Sequence, residues 1–296
     1  MDNSDKFDWL DGCVNRAVDK KTPSNHGVKV NKRKILIMQI IACSLILIAL
    51  IFTSVKLYIE KKEVGEYIEL VENYYMVNDA AQEHDDTLLT GDMLSDETIE
   101  SDKPIIDFKS LKRINDDIVG WIHIEDTEIN YPVVQATDNN YYLYRSFSKQ
   151  SSNLGSIFLD WELDMTDSDV VILYGHNMGK TRSGMFTELT KFDDKNYGKV
   201  SRKIITTSVD NIETSWELFA VVHADITTDV QSIYSVNNFV NESLYDDYVK
   251  LVKQNSLYEF DTELMYGQRI LILSTCVGGV ENKHMRRILF LAENLN

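Results

Sequence analysis

Arg269-Ile-Leu-Ile-Leu-Ser-Thr-Cys276-Val-Gly-Gly279 is an apolar, β-branched run that stops at two glycines and carries a cysteine at the stop. Runs of this kind read as short buried strands, and the glycines after Cys276 put the thiol at a strand end, not inside it. The same design recurs a hundred residues earlier, where Val170-Val-Ile-Leu-Tyr174 breaks at Gly175 and presents His176. Working outward, Trp121–Ile124, Ile129–Val134, Gly155–Asp160, Lys203–Ser208, Trp216–Val222 and Ile288–Leu291 are likewise short, β-branched or aromatic and bounded by turn residues. Eight such segments predict a mainly β domain, a barrel or sandwich. Helical spacing predicts interruptions at 106–117, 185–192 and 238–254, the last with Phe239, Leu244, Tyr248, Leu251 and Val252 on one side.

The segments before this domain set its compartment. Residues 35–55 carry no charge, and about 20 apolar residues span a bilayer as helix. They are followed by Lys56 and a charged helical pattern in place of a small-residue cleavage site, so an uncleaved anchor is expected. Lys32-Arg33-Lys34 abuts the apolar run, which keeps residues 1–34 in the cytoplasm and the rest outside. That tail holds eight Lys/Arg against five Asp/Glu, so a net charge of −17 for the chain leaves −20 on everything after it. An external part this acidic excludes nucleic acid as a partner. Leu57, Val64, Ile68, Val71 and Tyr75 form one stripe of a helical stalk, and the polar, aperiodic residues 85–103 read as a flexible acidic tether. The expected organisation is therefore a tail (1–34), a transmembrane anchor (35–55), a stalk and linker (56–104) and one domain (105–296), whose length of about 190 residues suffices for a full core.

With Cys13 behind the bilayer and Cys43 within it, Cys276 is an orphan thiol in an oxidising compartment, where cysteines ordinarily pair. A nucleophile accounts for it. A thiol attacks carbonyls as thiolate and needs a histidine or a fixed positive charge nearby. Past the anchor the histidines are His84, His123, His176, His223 and His284, and His176 is the best placed because the chain breaks just before it. Arg286 and Arg287 follow the loop after Cys276, and an arginine there could hold the oxyanion of an attacked carbonyl. Taken singly, each residue has a plainer use: packing for the cysteine, a structural hydrogen bond for the histidine, solvation for the arginine pair.

Together these pieces resemble one family. Leu273-Ser-Thr-Cys276, Tyr174-Gly-His-Asn-Met178 and an arginine about ten residues past the cysteine look like a sortase. The likeness to class B extends over Ile118–Ile124, Ile129–Gln135, Asn139–Leu143, Gly155–Asp160 and Gly184–Phe186, essentially the whole external domain. The resemblance implies an eight-stranded sortase β-barrel with flanking helices, one of them between the sixth and seventh strands, where residues 238–254 lie. It implies Cys276 as nucleophile, His176 as the family's histidine and, because Arg287-Ile-Leu-Phe-Leu-Ala292 fits the family pattern best, Arg287 as the arginine, with Arg286 as alternative.

The activity so implied is that of a membrane-anchored cysteine transpeptidase of a Gram-positive surface. It would cleave the sorting signal of a secreted protein after threonine and pass the acyl group to an amine of peptidoglycan or its precursor. A cysteine hydrolase, a pilus-type polymerising sortase and a non-catalytic anchored binding module are the alternatives. No cofactor is implied. Without an HExxH string or paired cysteines, no metal site is expected, and the acidic loop 160–169 reads as solvated carboxylates.

Overall fold

The computed structural model describes residues 32–76, 105–179, 183–225, 231–234, 236–278 and 284–295. Cys13, the expected tail up to Asn31 and the tether at 85–103 lie outside these residues. Helix α1 (Lys32–Tyr74) contains the expected anchor, and its apolar stretch is long enough to cross a membrane. The chain divides at Lys56/Leu57 into two compact units, the second running from Leu57 to Asn296.

All eight predicted strands are present. They are β1 (Ile118–Ile124), β2 (Asn130–Val134), β3 (Ile157–Leu159), β4 (Val170–Tyr174), β5 (Ile204–Ser208), β6 (Glu213–Asp225), β7 (Ile270–Cys276) and β8 (Met285–Glu293). They close into a barrel in the order β8-β6-β5-β1-β2-β3-β4-β7, with β7 returning to β8. Among the described residues two pairs are parallel, β2 with β3 and β4 with β7. The second of these matters for function. Val170–Leu173 and Ile270–Leu273 are buried throughout, the pattern of strands covered on both faces, so β4 and β7 form a rigid floor whose two ends emerge side by side.

Helices cover the barrel where their apolar residues dictate. The expected helix at 106–117 is α2 (Phe108–Ile114), capped by Asp107, whose side chain accepts from the Ser110 amide. That at 238–254 is α3 (Glu242–Gln254), started by Asn241 capping Leu244 N. Tyr245, Tyr248 and Val252, three and four residues apart, are its buried stripe, and Tyr248 packs against Phe290 of β8. The helical pattern at 185–192 is a 3-10 helix, Thr187–Asp193.

The end of α1 departs from the expected stalk. Residues from Leu57 onward belong to the barrel's unit: Val64, Val71 and Tyr75 of the predicted stripe pack against its core, Leu57 and Ile68 are exposed, and the buried side chains are Tyr67 and Leu70, which the stripe did not include. The difference has a physical cause: the Tyr67 ring packs edge-on against Tyr131 and its hydroxyl finds backbone partners in the barrel unit, an attachment that a count of apolar residues omits.

Candidate active site

Cys276 is the last residue of β7 and is half-buried. Its neighbour on one side is β4. The two strands run parallel with Tyr174 beside Ser274, and the Gly175 amide continues the ladder to Ser274 O, so the residues just beyond each strand end come out together. Gly175 is favoured by close packing: a Cβ there would collide with Ile157 Cδ1 and lie 2.8 Å from Phe186. The next residue, His176, turns its Nε2 to Leu143 O at 2.7 Å. A carbonyl only accepts, so Nε2 carries hydrogen and Nδ1 is the ring atom that takes up or releases the proton. Asn177 ties the two strand ends by donating Nδ2–H to Cys276 O at 2.9 Å.

On the other side lies β8, antiparallel to β7. Its register sets Arg286 opposite Cys276 and Arg287 opposite Thr275. Directly opposed residues share a face and successive residues alternate, so Arg286 lies on the thiol's side and Arg287 on the reverse. The guanidinium of Arg287 is engaged there: it is 3% exposed and grips Asp193 with two parallel hydrogen bonds, Nε to Oδ1 at 2.6 Å and Nη2 to Oδ2. His223, opposite Arg287 on β6, donates Nε2–H to the same Oδ1 at 2.9 Å. This differs from the sequence expectation, in which Arg287 stood beside the thiol and Arg286 was the alternative.

The thiol's face carries two tyrosines. The Tyr234 hydroxyl lies 2.6 Å from Ser274 Oγ. Burial pushes its pKa up to about 12, with the Ser274 hydrogen bond and the Arg286 charge pulling down and Cys276 pushing further up. Tyr174 is raised still more, by burial and by Asp160, whose carboxylate accepts its hydroxyl at 2.9 Å; Arg286 again acts in opposition. Cys276, Arg286, Tyr234 and Tyr174 are therefore within electrostatic reach of one another. Tyr144 completes the rim with its ring 6.1 Å from that of His176. A cavity of about 620 Å³ between Phe192, Arg202, Trp216 and Phe260 holds none of these side chains.

Sequence reasoning missed Tyr234 and the Leu143 carbonyl, and gave Ser274 no role. Ser274 and Leu143 lie inside stretches that carry the family likeness, but the likeness names no partner for them, Tyr234 lies in no such stretch, and each bonds to a residue remote in sequence. The cluster Asn139–Tyr142 is packing: Tyr142 is buried and bonded to Asn115 and Asp117, and Asn139 donates to Asp160. Carboxylates of the acidic loop are likewise engaged, Asp164 by the amides of Thr166 and Asp167 and Asp169 by that of Phe239. Among the described residues no cluster of three or more histidine, cysteine or acidic side chains could hold a metal ion.

A closed eight-stranded barrel with a half-buried thiol at one strand end, a histidine just past the end of one neighbouring strand and an arginine opposite the thiol on the other suits a cysteine acyl-transfer enzyme. A sequence model described as Sortase domain matches residues 122–295. The chain is 31% identical to sortase B of Staphylococcus aureus over 249 residues, 83% of this chain and 90% of that protein. It is 35% identical to sortase B of Listeria monocytogenes over 172 residues, 57% of this chain and 67% of the other. Among solved structures, Clostridium perfringens sortase B aligns with a TM-score of 0.57 at 33% identity, covering 63% of this chain and 98% of that one. The Staphylococcus aureus sortase B–substrate complex aligns at 0.55 and 29%, covering 63% and 83%. The chain belongs to the sortase family, in class B, and is a cysteine transpeptidase that anchors surface proteins to the cell wall.

Proposed function

We propose that Cys276, His176 and Arg286 carry the reaction. The observation that supports this is a single arrangement: the strand end bearing the thiol is flanked by Arg286 in register on one side and by the strand end bearing His176 on the other. The Cys276 thiolate attacks the carbonyl of the threonine in a sorting signal. The tetrahedral oxyanion is held by the Arg286 guanidinium. As the C–N bond breaks, the departing amine takes the proton from His176 Nδ1, leaving a thioester on Cys276. An amine of a peptidoglycan precursor or cross-bridge then attacks the thioester, gives its proton back to Nδ1 and expels the thiolate, so the surface protein ends in an amide to the wall.

Substrate and acceptor chemistry explain the anchor. In this reading residues 35–55 cross the membrane once, residues 1–34 stay in the cytoplasm beside Lys32-Arg33-Lys34, and the unit beginning at Leu57 works outside, fed by secreted proteins with a C-terminal sorting signal. Residues 56–104 connect the anchor to the catalytic residues 105–296, with the last turns of α1 attached to the domain they serve.

The test is a mass-spectrometric screen of threonine-containing peptides against the full-length chain in detergent micelles, with and without an amine donor. A productive peptide should leave its acyl group on Cys276 and, with amine, yield an amide; Cys276→Ala should form neither product while keeping its fold. Acyl transfer by that variant would end the proposal, and release of free acid in the presence of saturating amine would make the enzyme a hydrolase.

A further inference from the structure

The end of α1 holds a loop on which the catalytic histidine rests. Three of its side chains bind the segment 145–156. Glu63 accepts from the Asn153 amide at 3.0 Å and Glu66 from the Ser148 amide at 2.9 Å. Tyr67, 3% exposed, donates its hydroxyl hydrogen to Gly155 O at 2.7 Å and accepts from the Phe147 amide at 3.1 Å. Ser156 Oγ, 3.0 Å from the same hydroxyl, passes its own hydrogen to Arg145 O. One phenol thus joins the two arms of the segment.

Those arms are the support of His176. Leu143, just before the segment, supplies the carbonyl that accepts from Nε2. Gly155, near its end, adopts φ +64°, and a Cβ there would meet Leu143 O at 2.7 Å, Tyr142 O at 2.9 Å and His176 Cδ2 at 3.1 Å. The ring is therefore seated between the Leu143 carbonyl and the bare Cα of Gly155, the residue whose own carbonyl Tyr67 holds. The link from Tyr67 to His176 runs in steps: the phenol holds Gly155 O, the amide of the next residue, Ser156, donates to Tyr142 O at 3.1 Å, and Leu143, one residue on, supplies the carbonyl that accepts from His176 Nε2. Burial keeps the phenol protonated far above working pH, so the donor is permanent.

We propose that Tyr67 is a positioning residue for the transpeptidation: through Gly155 it fixes the seat of His176, which makes the last turns of α1 a working part of the active site as well as a connection to the anchor. The proposal rests on His176 being the acid and base of the reaction. A seat displaced by a fraction of an ångström misdirects Nδ1 at the leaving amine, and misplacement on the order of 1 Å, caused from outside the reacting centre, costs roughly a hundredfold in rate.

Tyr67→Phe keeps the ring against Tyr131 and removes only the hydroxyl. In the full-length chain in micelles, acting on whichever peptide forms the Cys276 thioester, it should lower kcat roughly tenfold to a hundredfold with KM little changed. The His176 imidazole resonances in a histidine-labelled sample should broaden or double. Leu70→Ala, buried one turn along the same helix but bonded to none of the seat, should lower the melting temperature and leave kcat and the imidazole signal alone. Unchanged kcat and a single sharp imidazole signal in Tyr67→Phe would overturn the proposal, as would equal losses of kcat in both variants, which would mean general loosening. His176→Ala is run alongside: if it retains turnover, the acid-base assignment itself falls, a failure visible independently of Tyr67.

Discussion

Two rows of side chains cross the same three strands one residue apart, and they have opposite characters. One row runs Cys276, Arg286, Ala224; the other runs Thr275, Arg287, His223. In the first, an arginine faces a half-buried thiol and two hydrogen-bonded tyrosines. In the second, an arginine is sealed from solvent, spent on Asp193 and backed by a histidine on the same carboxylate. Two identical residues, adjacent in sequence, are thus given opposite surroundings by nothing more than the alternation of a pleated strand, and on the function proposed above one serves chemistry and the other structure. Charge type alone says little about role; the partner across the ladder decides it.

The sharpest way to break the comparison is to remove each arginine in turn. Arg286→Ala should lower kcat for peptide cleavage roughly a hundredfold to a thousandfold, the usual loss when an oxyanion donor is removed, with the melting temperature nearly unchanged. Arg287→Ala should do the reverse, costing about 2 kcal/mol of stability by denaturant titration, because it removes two charge-assisted hydrogen bonds from Asp193, whose carboxylate keeps His223 and is a third open to solvent. Its folded fraction should retain most of its kcat. If the two variants exchange phenotypes, the rows have been assigned backwards.

Acid sharpens the same contrast. Burial works against the ionised Asp193, but the hydrogen bonds from Arg287 and His223 outweigh it and bring its pKa down from 3.8 to about 2. A carboxylate held lower in the folded than in the unfolded chain binds fewer protons when folded, so it stabilises above about pH 4 and loses that contribution as pH falls from there toward 2. Thermal melts from pH 6 to 2 should show wild type losing more stability below pH 4 than Asp193→Asn does. Parallel curves would mean that Asp193 is not coupled to the pair.

How much of this could be read from the chain follows from the range over which each feature is encoded. The eight strands, α2 and α3 were legible because period and turn chemistry are local, and so was the placement of Cys276 and His176 at neighbouring strand ends, which the glycines beside them mark. Which of Arg286 and Arg287 shares the thiol's face was not. Local likeness favours the arginine directly before Ile288, whereas the face each presents depends on the register of β8 against β7 across the intervening loop. Tyr234 escaped for the same reason, since its partner Ser274 is forty residues away, and so did Tyr67, bonded to backbone that an apolar stripe cannot foresee.

The smallest effect probes the row behind the thiol directly. Thr275 sits next to Cys276 in sequence, is 2% exposed, and its Oγ1 meets no hydrogen-bond partner among the described residues. If proximity in sequence set function, changing it would disturb catalysis. If the strand's alternation does, Thr275 belongs to the structural row, where a buried, unpaired hydroxyl is a cost. Thr275→Val replaces that hydroxyl with a methyl of similar size, so stability should hold or rise by up to about 1 kcal/mol while kcat stays near wild type. A Thr275→Val enzyme that folds well but turns over slowly would mean that the two rows communicate through β7. The division of labour between Arg286 and Arg287 would then be one of degree.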